Sequence, residues 1–75
     1  MSSFELFIDD DRYSVPTLRI LATDKARALA LAKAALAESA HHLGVELYGD
    51  DRRVLGLGSL RHPRDAALRG RVSRL

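Results

Sequence analysis

Apolar and polar residues alternate cleanly at the start of the chain. Phe4, Leu6 and Ile8 share one parity and Glu5, Phe7 and Asp9 the other, which predicts a half-buried antiparallel strand over residues 3–9. Asp9-Asp10-Asp11-Arg12 supplies a turn, since Asp tolerates the left-handed region and bonds its own backbone. A return strand over residues 13–22 carries Tyr13 and Val15 on one parity and Leu18, Ile20 and Ala22 on the other. The switch falls at Pro16-Thr17, and proline is confined to strand edges and bulges. A bulge or bend near Pro16 is therefore expected, restoring Leu18 and Ile20 to the apolar face, with an edge-strand position as the lesser option.

Period two then gives way to a helix over residues 24–40. Eleven of the residues from Asp24 to Ala40 are Ala or Leu, both strong helix formers. Thr23 or Asp24 suits the N-cap, His41 and His42 fit a last turn that favours cations, and Gly44 fits the stop. On a helical wheel Leu29, Ala32, Leu36 and Ala40 form the core stripe, with Leu31 well outside it. The outer surface is mostly alanine, guarded by Arg27, Lys33 and Glu38, so Leu31 marks a candidate second contact.

Residues 45–48 and 53–57 predict a second hairpin around Gly49-Asp50-Asp51-Arg52. It nearly repeats the first. Glu5 to Arg12 reads again 41 positions on as Glu46 to Arg53, with five of the eight residues identical and Phe7 matched by Tyr48. The expected fold is α+β with ββαββ order, a four-stranded mixed sheet carrying one helix on one face, over residues 1–58. The expected core is Phe4, Leu6, Ile8, Leu18, Ile20, Leu29, Leu36, Val45, Leu47 and either Val54 or Leu55. A helix that runs back along the sheet makes strands 2 and 3 run in the same direction. The acidic turns at Asp9–Asp11 and Asp50–Asp51 then fall at opposite ends of the sheet.

The layout resembles small bacterial ββαββ proteins of unknown function. The elements that carry the resemblance are Phe4–Asp11, Tyr13–Ala22, Asp24–Ala40 and Val45-Glu46 through Asp51. The resemblance covers residues 3–57 and implies a fold, with no catalytic residue to transfer.

Charge divides the chain. Residues 1–58 hold seven Lys/Arg against nine Asp/Glu, whereas residues 59–75 hold Arg61, Arg64, Arg69, Arg71 and Arg74 against Asp65 alone. This basic tail contains few large apolar groups, and Pro63 is placed to open a short helix through Arg69, with the remainder frayed. Its arginines are candidates for neutralising nucleic-acid phosphates. Phe7 and Tyr48 offer stacking surfaces on the sheet face away from the helix, but Glu5, Asp9 and Glu46 share that face and repel a phosphate backbone.

Other chemistry finds little footing. Neither acidic turn has the glycine and terminal glutamate of a calcium loop. His41 and His42 are adjacent, so on a helix their rings diverge, and no carboxylate is expected beside them. No nucleophile motif or phosphate-cradling glycine loop occurs, and a one-layer sheet is too thin for a deep pocket. No cofactor, metal or catalytic residue is assigned. With no cysteine, no leader and no membrane-length apolar run, the expected setting is cytoplasmic. A chain of 75 residues buries only roughly 60% of its unfolded surface, which leaves room for a stabilising partner. The expected function is a non-catalytic protein-interaction module that self-associates, using Phe7, Tyr48 and Leu31. The alternative is a nucleic-acid accessory protein acting through the arginine tail.

Overall fold

Strand β1 (Ser3–Asp10) alternates because it is buried on one side by a helix, and it pairs with a strand on each flank. The computed structural model describes residues 2–60; the Pro63–Arg69 helix and the tail arginines expected from sequence lie outside those residues. The remaining elements are β2 (Thr17–Ala22), α1 (Lys25–Ala37), β3 (His42–Gly49) and β4 (Arg52–Gly58). The sheet order is β2-β1-β3-β4. The ββαββ order and the single-helix, single-sheet architecture match the sequence expectation. β2 and β3 do run in the same direction, but β1 lies between them. Every neighbouring pair is consequently antiparallel and the sheet is not mixed.

The register places Asp10 opposite His42 at one end and Phe4 opposite Gly49 at the other. The two acidic turns accordingly sit at opposite ends, as the crossover geometry requires. Phe4, Leu6, Ile8, Val45 and Leu47 point toward the helix and are buried. The helix meets them with Ala28, Ala32 and Ala35, while Leu29 and Leu36 flank this seam, half-buried. Small side chains at the seam let the helix backbone come close to β3, its main contact. Val54 and Leu55 both pack against the core, because a register shift between Leu47 and Tyr48 inserts one extra residue in β4.

Three sequence expectations fail here. Leu18 and Ile20 are not core residues. The connection bends through residues 11–16 and β2 starts at Thr17, so Leu18 pairs with Phe7 and Ile20 with Glu5. Directly opposed residues on antiparallel strands share a face, and Leu18 and Ile20 are therefore on the side away from the helix. The bend near Pro16 exists, but it does not flip the strand. The helix also ends three residues early, at Ala37, leaving His41 in the connection and His42 as the first residue of β3. Gly44 lies inside β3, where a side chain would strike the Ser59 carbonyl; it is a close-approach residue and not a helix stop. Asp24 is the N-cap, its carboxylate accepting from the Arg27 backbone N–H at 2.8 Å.

The second hairpin closes on two residues. Asp50 and Asp51 have φ of 53° and 60°, the pattern of a type I′ turn, which suits the twist of the flanking strands. Each L-residue held in the left-handed region costs roughly 1–2 kcal/mol. Replacing Asp50-Asp51 with Asn-Gly is expected to stabilise the protein by about 1 kcal/mol, read as a Tm increase of several degrees. Gly49 has a different constraint: the Phe4 ring lies where its Cβ would be, with ring carbons 2.6 and 2.7 Å from that position. Gly49→Ala is expected to push Phe4 out of its seat and cost about 1–3 kcal/mol in urea unfolding.

Candidate functional site

The sheet face turned away from α1 collects most of the chemistry. β1 contributes Glu5, Phe7 and Asp9, and β3 contributes Glu46 and Tyr48, because both strands present their odd-face and even-face residues in register across Phe7–Glu46 and Glu5–Tyr48. The Phe7 and Tyr48 rings meet edge to face, with centroids 5.7 Å apart and planes at 88°. Tyr48 donates its hydroxyl to Glu46 Oε2 at 3.2 Å, and Arg53 Nε lies 3.5 Å from the same oxygen. Gly56, opposite Glu46, leaves the space that the Arg53 guanidinium fills. Along the outer strand of this face, Leu18 and Ile20 are 48% and 59% exposed. By contrast, Tyr48 is 3% exposed, Asp9 3% and Glu46 1%.

A second cluster lies at the Asp10 end. A register shift between Asp9 and Asp10 brings His42 opposite Asp10, on the helix side. Arg12 grips the Asp10 carboxylate with two guanidinium bonds, Nε to Oδ1 at 3.0 Å and Nη2 to Oδ2 at 2.7 Å, and its backbone N–H adds a third at 2.9 Å. His42 Nδ1 is 2.7 Å from the Ala35 carbonyl, which has no proton to give, so Nδ1 is the donor. The other ring nitrogen sits 3.5 Å from Asp10 Oδ2. His42 thereby ties the start of β3 to the C-terminal turn of α1. His41 Nδ1 is 2.8 Å from Asp11 Oδ1, and the Asp11 N–H donates to the His41 carbonyl at 3.0 Å.

These contacts correct the expectation that no carboxylate stands beside the histidines. Each histidine has one, but the pairs serve as a clasp between β1, β3 and the helix end. Among the described residues, no group of three His, Asp or Glu side chains could hold a metal ion. Leu31 is half-buried on α1. The arginines of the nucleic-acid alternative, Arg61, Arg64, Arg69, Arg71 and Arg74, fall outside the described residues. One concavity of about 770 Å³ opens at the Asp50 end, between Phe4, Lys25, Arg52 and Arg53. Its volume exceeds what a thin sheet was expected to hold, and it is a groove open to solvent. No described helix is long and apolar enough to cross a membrane.

Sequence reasoning missed the Asp10–Arg12 grip and the position of Leu18 and Ile20. The first had a visible signal, an arginine two residues after an aspartate in a turn. The second depended on loop length, which periodicity does not encode. Comparison with protein-family models, with characterised proteins and with solved structures finds no match, so the geometry alone carries the functional reading.

The Arg12 guanidinium, outweighing the effect of burial, holds the Asp10 carboxyl well below its usual range. A folded-state pKa below the unfolded value of about 3.9 gives stability that is present above that pH and is lost as pH falls further. Arg12→Ala is therefore expected to lower Tm by a few degrees at pH 7, with the gap to the unaltered protein narrowing as pH drops below about 4. Thermal melts of both proteins across pH 2–7 measure this.

Proposed function

We propose that the chain is a non-catalytic protein-interaction module that self-associates through the β2 edge and the adjoining sheet face. The observation that supports this is where the exposed large apolar side chains lie. Tyr13 (55% exposed), Val15 (67%), Leu18 (48%) and Ile20 (59%) all fall in the first connection and β2. Single exposed apolar residues are ordinary, but Leu18 and Ile20 alternate on one face of the same edge strand and so stand side by side.

The strand position favours a second copy as the occupant. β2 is a terminal strand of the sheet, and among the described residues no strand flanks its outer side. An unpaired strand edge is a template for another strand. Antiparallel pairing of β2 with β2 of a second copy is two-fold symmetric and joins the sheets. With Arg19 of both copies near the axis, Leu18 of each copy stands opposite Ile20 of the other. Arg19 itself is turned to the helix side, where it binds Glu38 through Nη2 to Oε1 at 2.9 Å and Nη1 to Oε2 at 3.3 Å. Its charge is thus partly offset before the two copies meet. The Phe7–Tyr48 pair lies one and two strands inward and supports the edge from within the same face.

Phosphate binding at the described open face is disfavoured by Glu5, Asp9 and Glu46. A cytoplasmic setting remains part of the proposal, in line with a chain that has no cysteine.

Light scattering at about 100 μM is expected to give the mass of a dimer. Leu18→Lys combined with Ile20→Lys is expected to give a monomer with an unchanged circular dichroism spectrum, because both positions are exposed in one chain. A monomeric unaltered protein at this concentration would sink the proposal.

A further inference from the structure

The direction of the backbone groups on β2 decides how a second copy can meet it. Thr23 donates its N–H to the Ser2 carbonyl at 2.9 Å, so these two residues form a hydrogen-bonded pair. Such pairs alternate along an antiparallel ladder, and the register makes Leu21–Phe4, Arg19–Leu6 and Thr17–Ile8 the other bonded pairs. Leu18 and Ile20 therefore turn their N–H and C=O groups to the outer edge. In the two-fold pairing described above, these groups bond Leu18 of each copy to Ile20 of the other. Arg19 then faces Arg19 of the second copy in a non-bonded pair, on the helix side. Side chains stand closest in such pairs, with Cα atoms about 4.5 Å apart, and like charges directly opposite one another are destabilising.

We propose that Glu38 controls whether the β2 edge accepts a second copy, by neutralising the Arg19 guanidinium at the point where the two copies bring these side chains together. The inference rests on the self-association proposed above and assigns its control to a residue outside the edge strand. Its basis is a two-pronged ion pair within one chain: Arg19 Nη2 to Glu38 Oε1 at 2.9 Å and Nη1 to Oε2 at 3.3 Å. Both side chains stay open to solvent, 41% exposed for Arg19 and 53% for Glu38, so the pair contributes little to the stability of a single chain. Its consequence falls instead on the approach of a second one.

The helix stop sets Glu38 in place. α1 ends at Ala37, and Glu38 is its C-cap, the backbone N–H donating to the Ala35 carbonyl at 3.3 Å. His42 Nδ1 donates to the same carbonyl at 2.7 Å. These bonds hold the helix end to β3, two strands inward from β2, and the Glu38 side chain reaches from there to Arg19. With Glu38 in place, each copy brings a paired charge to the axis, and the dimer sets two arginines beside two glutamates. Without it, two bare guanidinium groups face each other across the new strand pair.

Dimer dissociation constants from sedimentation equilibrium on the full chain test this, with circular dichroism showing that each variant is folded. Glu38→Gln is expected to weaken self-association about fivefold at low salt, the size of a cross-strand charge pair. The gap is expected to close at about 1 M salt, where charges are screened beyond roughly 3 Å. Arg19→Gln combined with Glu38→Gln is expected to restore the affinity of the unaltered protein, since neither copy then brings a charge. Charge exchange gives an independent reading. Glu38→Gln leaves the arginine bare and Arg19→Glu leaves two carboxylates, so each associates poorly with itself. An equimolar mixture of the two is expected to form a mixed dimer more tightly than either variant dimerises alone. Glu38→Gln dimerising as tightly as the unaltered protein overturns the inference and leaves the self-association reading standing. A mixture that associates no better than its components does the same, as does a double variant as weak as Glu38→Gln. A monomeric unaltered protein overturns both.

Discussion

The antiparallel pairing of β1 with β3 sets Leu6 beside Leu47 and Ile8 beside Val45 on one side, and Phe7 beside Glu46 on the other. Strand geometry allows no independent choice between these two outcomes, since successive side chains alternate faces. Burying the first set against Ala28, Ala32 and Ala35 of α1 forces the second set together on the reverse side. The aromatic and acidic character of the open face is thus a consequence of the same register that builds the core. A slip of one residue would bury Glu5 and Glu46 under the helix and expose Leu6 and Leu47.

Much of this arrangement was legible in the chain. The alternation from Phe4 to Asp9 and the near-repeat at Glu46 identified both faces of the two central strands, and the Ala/Leu run identified the helix that covers one of them. Asp24 was readable as a cap because it precedes that run. Pro16 pointed, as the lesser option, to the edge position that β2 takes, but the face of that strand was not readable. Leu18 and Ile20 look like a core pair by periodicity, and their true face is set by the bend through residues 11–16, a property of loop length. The helix terminus was equally hidden. Ala40 is a good helix former, yet His42 is drawn into β3 by pairing with Asp10, so tertiary pairing outweighs local preference there.

The candidate site was legible in part for the same reason. Phe7 and Tyr48 occupy equivalent positions in the two hairpins, and the sheet brings them into edge-to-face contact. What spacing could not show is that their neighbours Asp9 and Glu46 are deeply buried while Leu18 and Ile20, one strand outward, remain open. The face is therefore divided into a closed, charged centre and an apolar rim. The histidines show the same limit. Adjacent in sequence, they reach two different carboxylates because the turn after α1 sends His41 and His42 in different directions. Their role follows from which strand lies beside them, and this only the pairing reveals.

The position of β1 also bears on the order in which the molecule can be made. β1 and β2 leave the ribosome first, but β1 is an interior strand whose second neighbour is β3, and residues 42–49 arrive only after the whole helix. Until then Phe4, Leu6 and Ile8 have neither their neighbours on β3 nor a helix held against them. The nascent chain must carry this apolar stripe exposed for some forty residues of synthesis, about two to eight seconds at 5–20 residues per second. Asp9, Asp10, Asp11 and Arg12, directly after the stripe, are the kind of charged flank that discourages such a segment from joining another chain. The same acidic turn that later clasps the folded molecule is thus also suited to guarding it while it is still incomplete.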